Sequence, residues 1–144
     1  MISVKGNIVA SPCKIDSDSL NQSIRLGALV ASELKEAGSA GPQKVFQVKF
    51  YDCPYGTSAI NLSFSGEPDS VEPASSYKNN GDASNIFIRL MTKDNRPAGP
   101  GQIVTGVLNG NNNFIFDFVT QAVSKGNATV GSITAAATFT ITYS

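Results

Sequence analysis

Hydrophobic and polar residues alternate with a period of two along most of the chain. Ile2, Val4, Gly6, Ile8 and Ala10 share one face of residues 2–10, with Ser3, Lys5 and Asn7 on the other. Phe46, Val48 and Phe50 alternate with Gln47 and Lys49, and Ile60, Leu62 and Phe64 with Asn61 and Ser63. Ile86, Ile88 and Leu90 alternate with Phe87 and Arg89, and Phe114, Phe116 and Phe118 with Ile115, Asp117 and Val119. The last such run sets Ile133, Ala135, Ala137, Phe139, Ile141 and Tyr143 against Thr134, Ala136, Thr138, Thr140 and Thr142. Each run predicts a strand with one buried face. Ser23–Leu26 and Ile103–Leu108 are shorter candidates. Between the runs lie Gly41-Pro42, Cys53-Pro54-Tyr55-Gly56, Arg96–Gly101, Asn109-Gly110-Asn111 and Lys125-Gly126-Asn127, all turn material. Ala28–Ala37 alone suits a short helix or turn. Many short strands without βα alternation predict an all-β sandwich of the immunoglobulin type. Gly66–Asn85 reads as one long irregular, mobile segment.

Composition narrows the function. A chain of 144 residues suits one domain with a substantial core. Eleven basic residues balance eleven acidic ones, which leaves no electrostatic footprint for nucleic acid. No apolar run approaches bilayer length. No signal sequence precedes Ser3, so the chain reads as a mature or trimmed form with Met1 as a start codon. Cys13 and Cys53 are the only cysteines and do not form a CxxC pair. Their spacing and the Ser/Thr/Asn-rich composition favour a disulfide in an exported domain over two free buried thiols. Closing that loop contributes about 4 kcal/mol in the chain-entropy model.

Catalytic chemistry is poorly provided for. Histidine is absent, which removes Ser-His-Asp and Cys-His machinery and most zinc or copper sites. Asp16 and Asp18 lack the spaced oxygen ligands and the glycine of a calcium loop. Nothing in the sequence brings Asp52 and Asp117 into one cleft, as a glycosidase pair would need. No phosphate-cradling glycine loop is present. The chain reads as a non-enzyme with no cofactor and no small-molecule substrate.

Three groups of residues carry a resemblance. Val9-Ala10-Ser11-Pro12-Cys13 is followed forty positions after its cysteine by Asp52-Cys53-Pro54, with Ile24-Arg25-Leu26-Gly27 between. Gly56–Gly66 is followed by Tyr77-Lys78-Asn79-Asn80-Gly81 and Ala83-Ser84-Asn85-Ile86. The chain ends Gly131…Phe139-Thr140-Ile141-Thr142-Tyr143-Ser144, with Gly131 fourteenth from the end and Tyr143 penultimate. Together these resemble the pilins of chaperone–usher fimbriae, and among them the minor or adaptor subunits of type 1 fimbriae.

The resemblance implies an incomplete immunoglobulin-like sandwich completed by a donor strand. It divides the chain into an N-terminal donor arm, residues 1–12, and a pilin domain, residues 13–144. Ile2, Val4, Gly6 and Ile8 would enter a groove, Gly6 lying where two backbones approach closely. The residues themselves allow a plainer alternative, that 2–10 is simply the first strand of its own sandwich. Phe114, Phe116, Phe118, Gly131, Phe139, Ile141, Tyr143 and Ser144 would form the acceptor groove and the surface met by a chaperone. The implied partners are neighbouring pilus subunits, a periplasmic chaperone and an outer-membrane usher. The implied location is an extracellular fimbrium reached through the periplasm. The arm begins almost at Met1, shorter than in major pilins, consistent with loss of part of a donor segment. A chaperone, a donor peptide, a swapped copy or the chain's own arm must fill the groove. The rival reading is a single-domain adhesin or carbohydrate-binding sandwich, with Tyr77 as its one candidate aromatic in the 66–85 loop.

Overall fold

The computed structural model describes residues 2–8, 13–16, 21–24 and 35–144, the side chains of 7, 8 and 21–24 excepted. All regular structure among the described residues is β. In chain order the strands are β1 (Ile2–Ile8), β2 (Lys14–Ile15), β3 (Asn21–Ile24), β4 (Lys44–Tyr51) and β5 (Ala59–Gly66). They continue with β6 (Ser76–Lys78), β7 (Ile86–Thr92), β8 (Ile103–Val107), β9 (Phe114–Ser124) and β10 (Ala135–Tyr143). One sheet runs β3-β1-β10-β5-β8 and the other β2-β4-β9-β7-β6.

The alternation seen in the sequence becomes the core because a period of two sends every second side chain to one face. Phe46, Val48 and Phe50 of β4 and Phe116 and Phe118 of β9 face Ile60, Leu62 and Phe64 of β5 and Phe139 and Ile141 of β10, all buried. Phe118 is the hub. It stacks on Phe46 at 5.1 Å between ring centroids and meets Phe64 edge-on at 5.5 Å. The opposite face of the first sheet is polar along β5 and β10, where the Ser65 and Thr138 hydroxyls are bonded to each other, and carries exposed Ile103 and Val107 on β8. Cys13 and Cys53 form a disulfide that ties β2 to the end of β4.

Several expectations need revision. The short strand expected at Ser23–Leu26 is Asn21–Ile24, and β2 and β6 were too short to read from alternation. Of the expected helical stretch Ala28–Ala37, residues 28–34 lie outside the described residues, and a turn follows at 35–38. Phe87, expected on the solvent face of β7, is buried, with the Arg89 guanidinium 5.9 Å from its ring. The long 66–85 segment is fastened at several points. Lys125 Nζ pairs with the buried Asp69 carboxylate at 3.0 Å, and Arg89 makes a two-pronged pair with Glu72, both contacts 3.0 Å.

Tyr77 is the clearest correction. It sits on β6, buried, and its hydroxyl donates to the Ala98 carbonyl at 2.8 Å. It is a core residue and presents no ring to a glycan. Burial pushes its pKa well above the usual tyrosine value. The folded phenol therefore stays neutral while the unfolded one ionises above about pH 10. That stability is fully present below about pH 10 and is lost as pH rises through the folded pKa. Tyr77→Phe is predicted to cost about 1 kcal/mol at neutral pH. Urea melts above pH 10 should show a shallower alkaline decline for the variant than for the parent.

Candidate functional site

The N-terminal strand occupies an unusual seat. β1 lies between β3 and β10, antiparallel to the first and parallel to the second. Every other pairing between the named strands is antiparallel. The final strand of an immunoglobulin-like sandwich would run antiparallel to its neighbour, so β1 fills the position in the opposite direction. Parallel pairing is slightly weaker per residue, because its hydrogen bonds are slanted.

Side-chain volume explains the register. Ile2 pairs with Ala135, Val4 with Ala137, Gly6 with Phe139 and Ile8 with Ile141. Ile2 and Val4 are both 0% exposed, as are Ala137 and Phe139. Ile2 and Val4 therefore lie beside alanines, and the one glycine lies beside the one phenylalanine. Each fully buried arm residue contributes about 1.5–3 kcal/mol. Ala10 and Pro12 lie outside the described residues.

The remaining site residues lie in several places. Phe139 and Ile141 flank the arm directly. Phe116 and Phe118 lie on the facing sheet, in the core. Phe114, by contrast, is half-buried beneath β8: a Cβ on Gly106 would fall 2.4 Å from its ring. Since β8 is the sheet edge farthest from β1, Phe114 lies away from the arm. Tyr143, half-buried, meets Phe50 edge-on at 6.5 Å. The Ser144 carbonyl accepts from the Ser58 N–H and hydroxyl, both 2.9 Å, so the chain end is docked on the start of β5.

Gly131 is not on a strand. A Cβ there would fall 2.7 Å from the Ala83 nitrogen, so the 131–132 backbone can lie against the 82–83 turn only without a side chain. Asn79, which entered the sequence reading only as part of the resemblance and not as a site residue, fixes the same junction. Its Oδ1 accepts from the N–H groups of Thr134 at 2.8 Å and Gly81 at 2.9 Å, and its Nδ2 donates to the Ala83 carbonyl at 3.0 Å. These contacts set where β10 begins, and hence the length of edge offered to the arm. Ala135 and Ala137 are the other missed contributors. Their small size was visible in the alternation, but its meaning depends on which strand lies beside them.

The family model described as Fimbrial protein matches residues 2–144. The chain belongs to the fimbrial protein family. This fimbrial protein is 34% identical over 145 residues to Protein FimG of Escherichia coli K12, covering 99% of this chain and 84% of the relative. It is 32% identical over 143 residues to the S-fimbrial adhesin protein SfaS of Escherichia coli O6:K15:H31, covering 99% and 83%. Among solved structures it superposes on the P pilus rod subunit PapA with a TM-score of 0.76 at 20% identity, covering 93% and 100%. A chaperone–usher pilus structure gives a TM-score of 0.79 at 21% identity, covering 97% and 92%. The fold is that of chaperone–usher pilins, and these relatives are fimbrial subunits and adhesins rather than enzymes.

The Gly6–Phe139 pairing generates a prediction. Gly6→Leu is expected to destabilise the fimbrial protein by about 1–3 kcal/mol, since a side chain forced beside Phe139 overpacks the groove. Gly6→Ala should cost less. Hydrogen exchange of residues 2–8 checks the cause: the leucine variant should lose protection in β1 while β4, β7 and β9 keep theirs.

Proposed function

We propose that this fimbrial protein is a structural pilus subunit that polymerises by donor-strand exchange. Residues 1–12 are the arm given to a neighbour, with Ile2, Val4, Gly6 and Ile8 as the inserted face. Residues 13–144 form the domain that receives another subunit's arm, alongside Phe139 and Ile141 and over Phe116 and Phe118. A periplasmic chaperone holds the domain before assembly, and an outer-membrane usher passes it to an extracellular fimbrium.

One observation carries this reading. The strand that closes the sandwich, β1, lies parallel to β10 where the fold calls for an antiparallel partner. Once it leaves, β3 and β10 expose unpaired backbone groups and an apolar groove, which invites strand addition. An incoming arm that runs antiparallel to β10 gains the better-aligned hydrogen bonds, so replacement is downhill. Membership of the fimbrial family and the likeness to pilus subunits support the same reading. The adhesin alternative loses its candidate aromatic, since Tyr77 is buried.

The test uses the full chain and an isotopically labelled peptide of residues 2–12. On prolonged incubation, native mass spectrometry should detect one bound peptide per chain. The melting temperature should rise as the peptide replaces the resident arm. A chain that never takes up peptide, and whose residues 2–8 exchange hydrogen as slowly as β9, would sink the proposal.

A further inference from the structure

Two turns meet beside the root of the arm. Pro54–Thr57 is closed by the Thr57 N–H donating to the Pro54 carbonyl at 3.2 Å. Gly56 takes the left-handed φ of 98° that the third position of a type II turn requires. Tyr55, before it, is fully exposed. Leu108–Asn111 is closed at 2.9 Å, with Asn109 at φ 50°. The Leu108 N–H donates to Ser58 at 3.0 Å and the Cys53 N–H to Asn112 at 2.9 Å, so the two turns are locked together. Between them lies a cleft of about 480 Å³, lined by Tyr55, Thr57, Val107, Asn109, Asn111 and Asn112 among others, with no charged side chain among the described residues of its lining. Val107 is also exposed. An aromatic and an aliphatic residue in an uncharged, pre-formed cleft match the centre of a protein–protein interface, where charges are depleted and aromatics enriched.

The disulfide decides what the cleft faces. Cys13, at the root of the arm, is bonded to Cys53, and Cys53 lines the cleft. Whatever subunit receives the arm is therefore drawn against this end of the domain. Strand direction decides which part of that subunit arrives. In an antiparallel insertion that keeps Gly6 beside Phe139, Ile8 falls opposite Ala137, Val4 opposite Ile141 and Ile2 opposite Tyr143. The arm's root then leaves beside the start of the recipient's β10, next to Gly131 and Ser132. That pole carries exposed Val130 on one turn and exposed Asn80 and Asp82 on the other, the turns being held together by Ala83 N–H donating to Ser132. A parallel insertion in a second copy would instead bring cleft against cleft, a two-fold contact that closes on itself and cannot grow.

We infer that the Tyr55 cleft is the seat for the pole of the arm-receiving subunit formed by its 79–85 and 130–134 turns. The inference rests on the strand-exchange reading and deepens it: the arm supplies the joint, and the cleft sets the head-to-tail contact that lets the assembly extend.

The test takes the full chain with Tyr55 replaced by the photo-crosslinking analogue p-benzoylphenylalanine, refolded at high concentration with isotopically labelled copies so that contacts between chains are distinguishable. Irradiated multimers should cross-link to residues 79–85 and 130–134 of the neighbouring copy. In parallel, Tyr55→Ser combined with Val107→Ser should speed multimer dissociation at least about ten-fold, as loss of an interface anchor does. Uptake of the residue 2–12 peptide by the double variant should be unchanged. Cross-links to the neighbour's 54–58 or 109–113 turns would overturn the inference while leaving strand exchange standing. So would unaltered dissociation, failure to form multimers despite normal peptide uptake, or a cleft still open to soluble glycans within the multimer. Absence of peptide uptake by the parent chain would remove both readings.

Discussion

The structure depends on one missing strand. β10 is a long central strand of its sheet, bonded to β5 on one side and in need of a partner on the other. Without a strand between them, β3 and β10 each present unpaired backbone groups, and the buried faces of Ala137, Phe139 and Ile141 lose their cover. β1 meets both needs. It supplies the ladder on two sides and places Ile2 and Val4 in the core. Backbone pairing is indifferent to sequence, so any strand would satisfy the first need. Only one that is small beside Phe139 and large beside the alanines satisfies the second.

That division separates affinity from specificity for any strand that fills this seat. The ladder gives the attraction, and the volume pattern fixes the register. It also explains why the groove is built on rigid material. Phe118 ties the two sheets together through Phe46 and Phe64. The start of β10 is set by the Asn79 amide and by the side-chain-free contact at Gly131. The 66–85 segment, held by the Asp69–Lys125 and Glu72–Arg89 pairs, keeps that junction in place. Exposed ion pairs contribute little, but Asp69 is buried, and removing its partner would strand a charge.

At the other pole the disulfide links function to fold. Cys13 bonded to Cys53 anchors the segment that follows β1 at the end of β4, so its base is fixed to the domain core. Tyr55 and the asparagine-rich turn beside it are held in place by backbone bonds and by the buried Leu108 and Cys53 at their bases. This suits a surface whose role is contact with another domain.

Much of this was legible in the residues. A period of two in six segments determined an all-β sandwich and most of its inward faces, because alternation maps directly onto the two faces of a sheet. The absence of histidine settled most of the enzyme chemistry. The Cys13–Cys53 spacing and the Gly131 and Tyr143 offsets pointed to the family. Short β2 and β6 were invisible, since two or three residues show no period. Tyr77 misled because a loop composition hid a buried strand. Only the tertiary structure decided that β1 returns to its own domain, that it lies parallel to β10, and that Gly6 faces Phe139. Those are relations between segments more than a hundred residues apart, and alternation within one segment is the same whichever neighbour it meets and whichever way it runs.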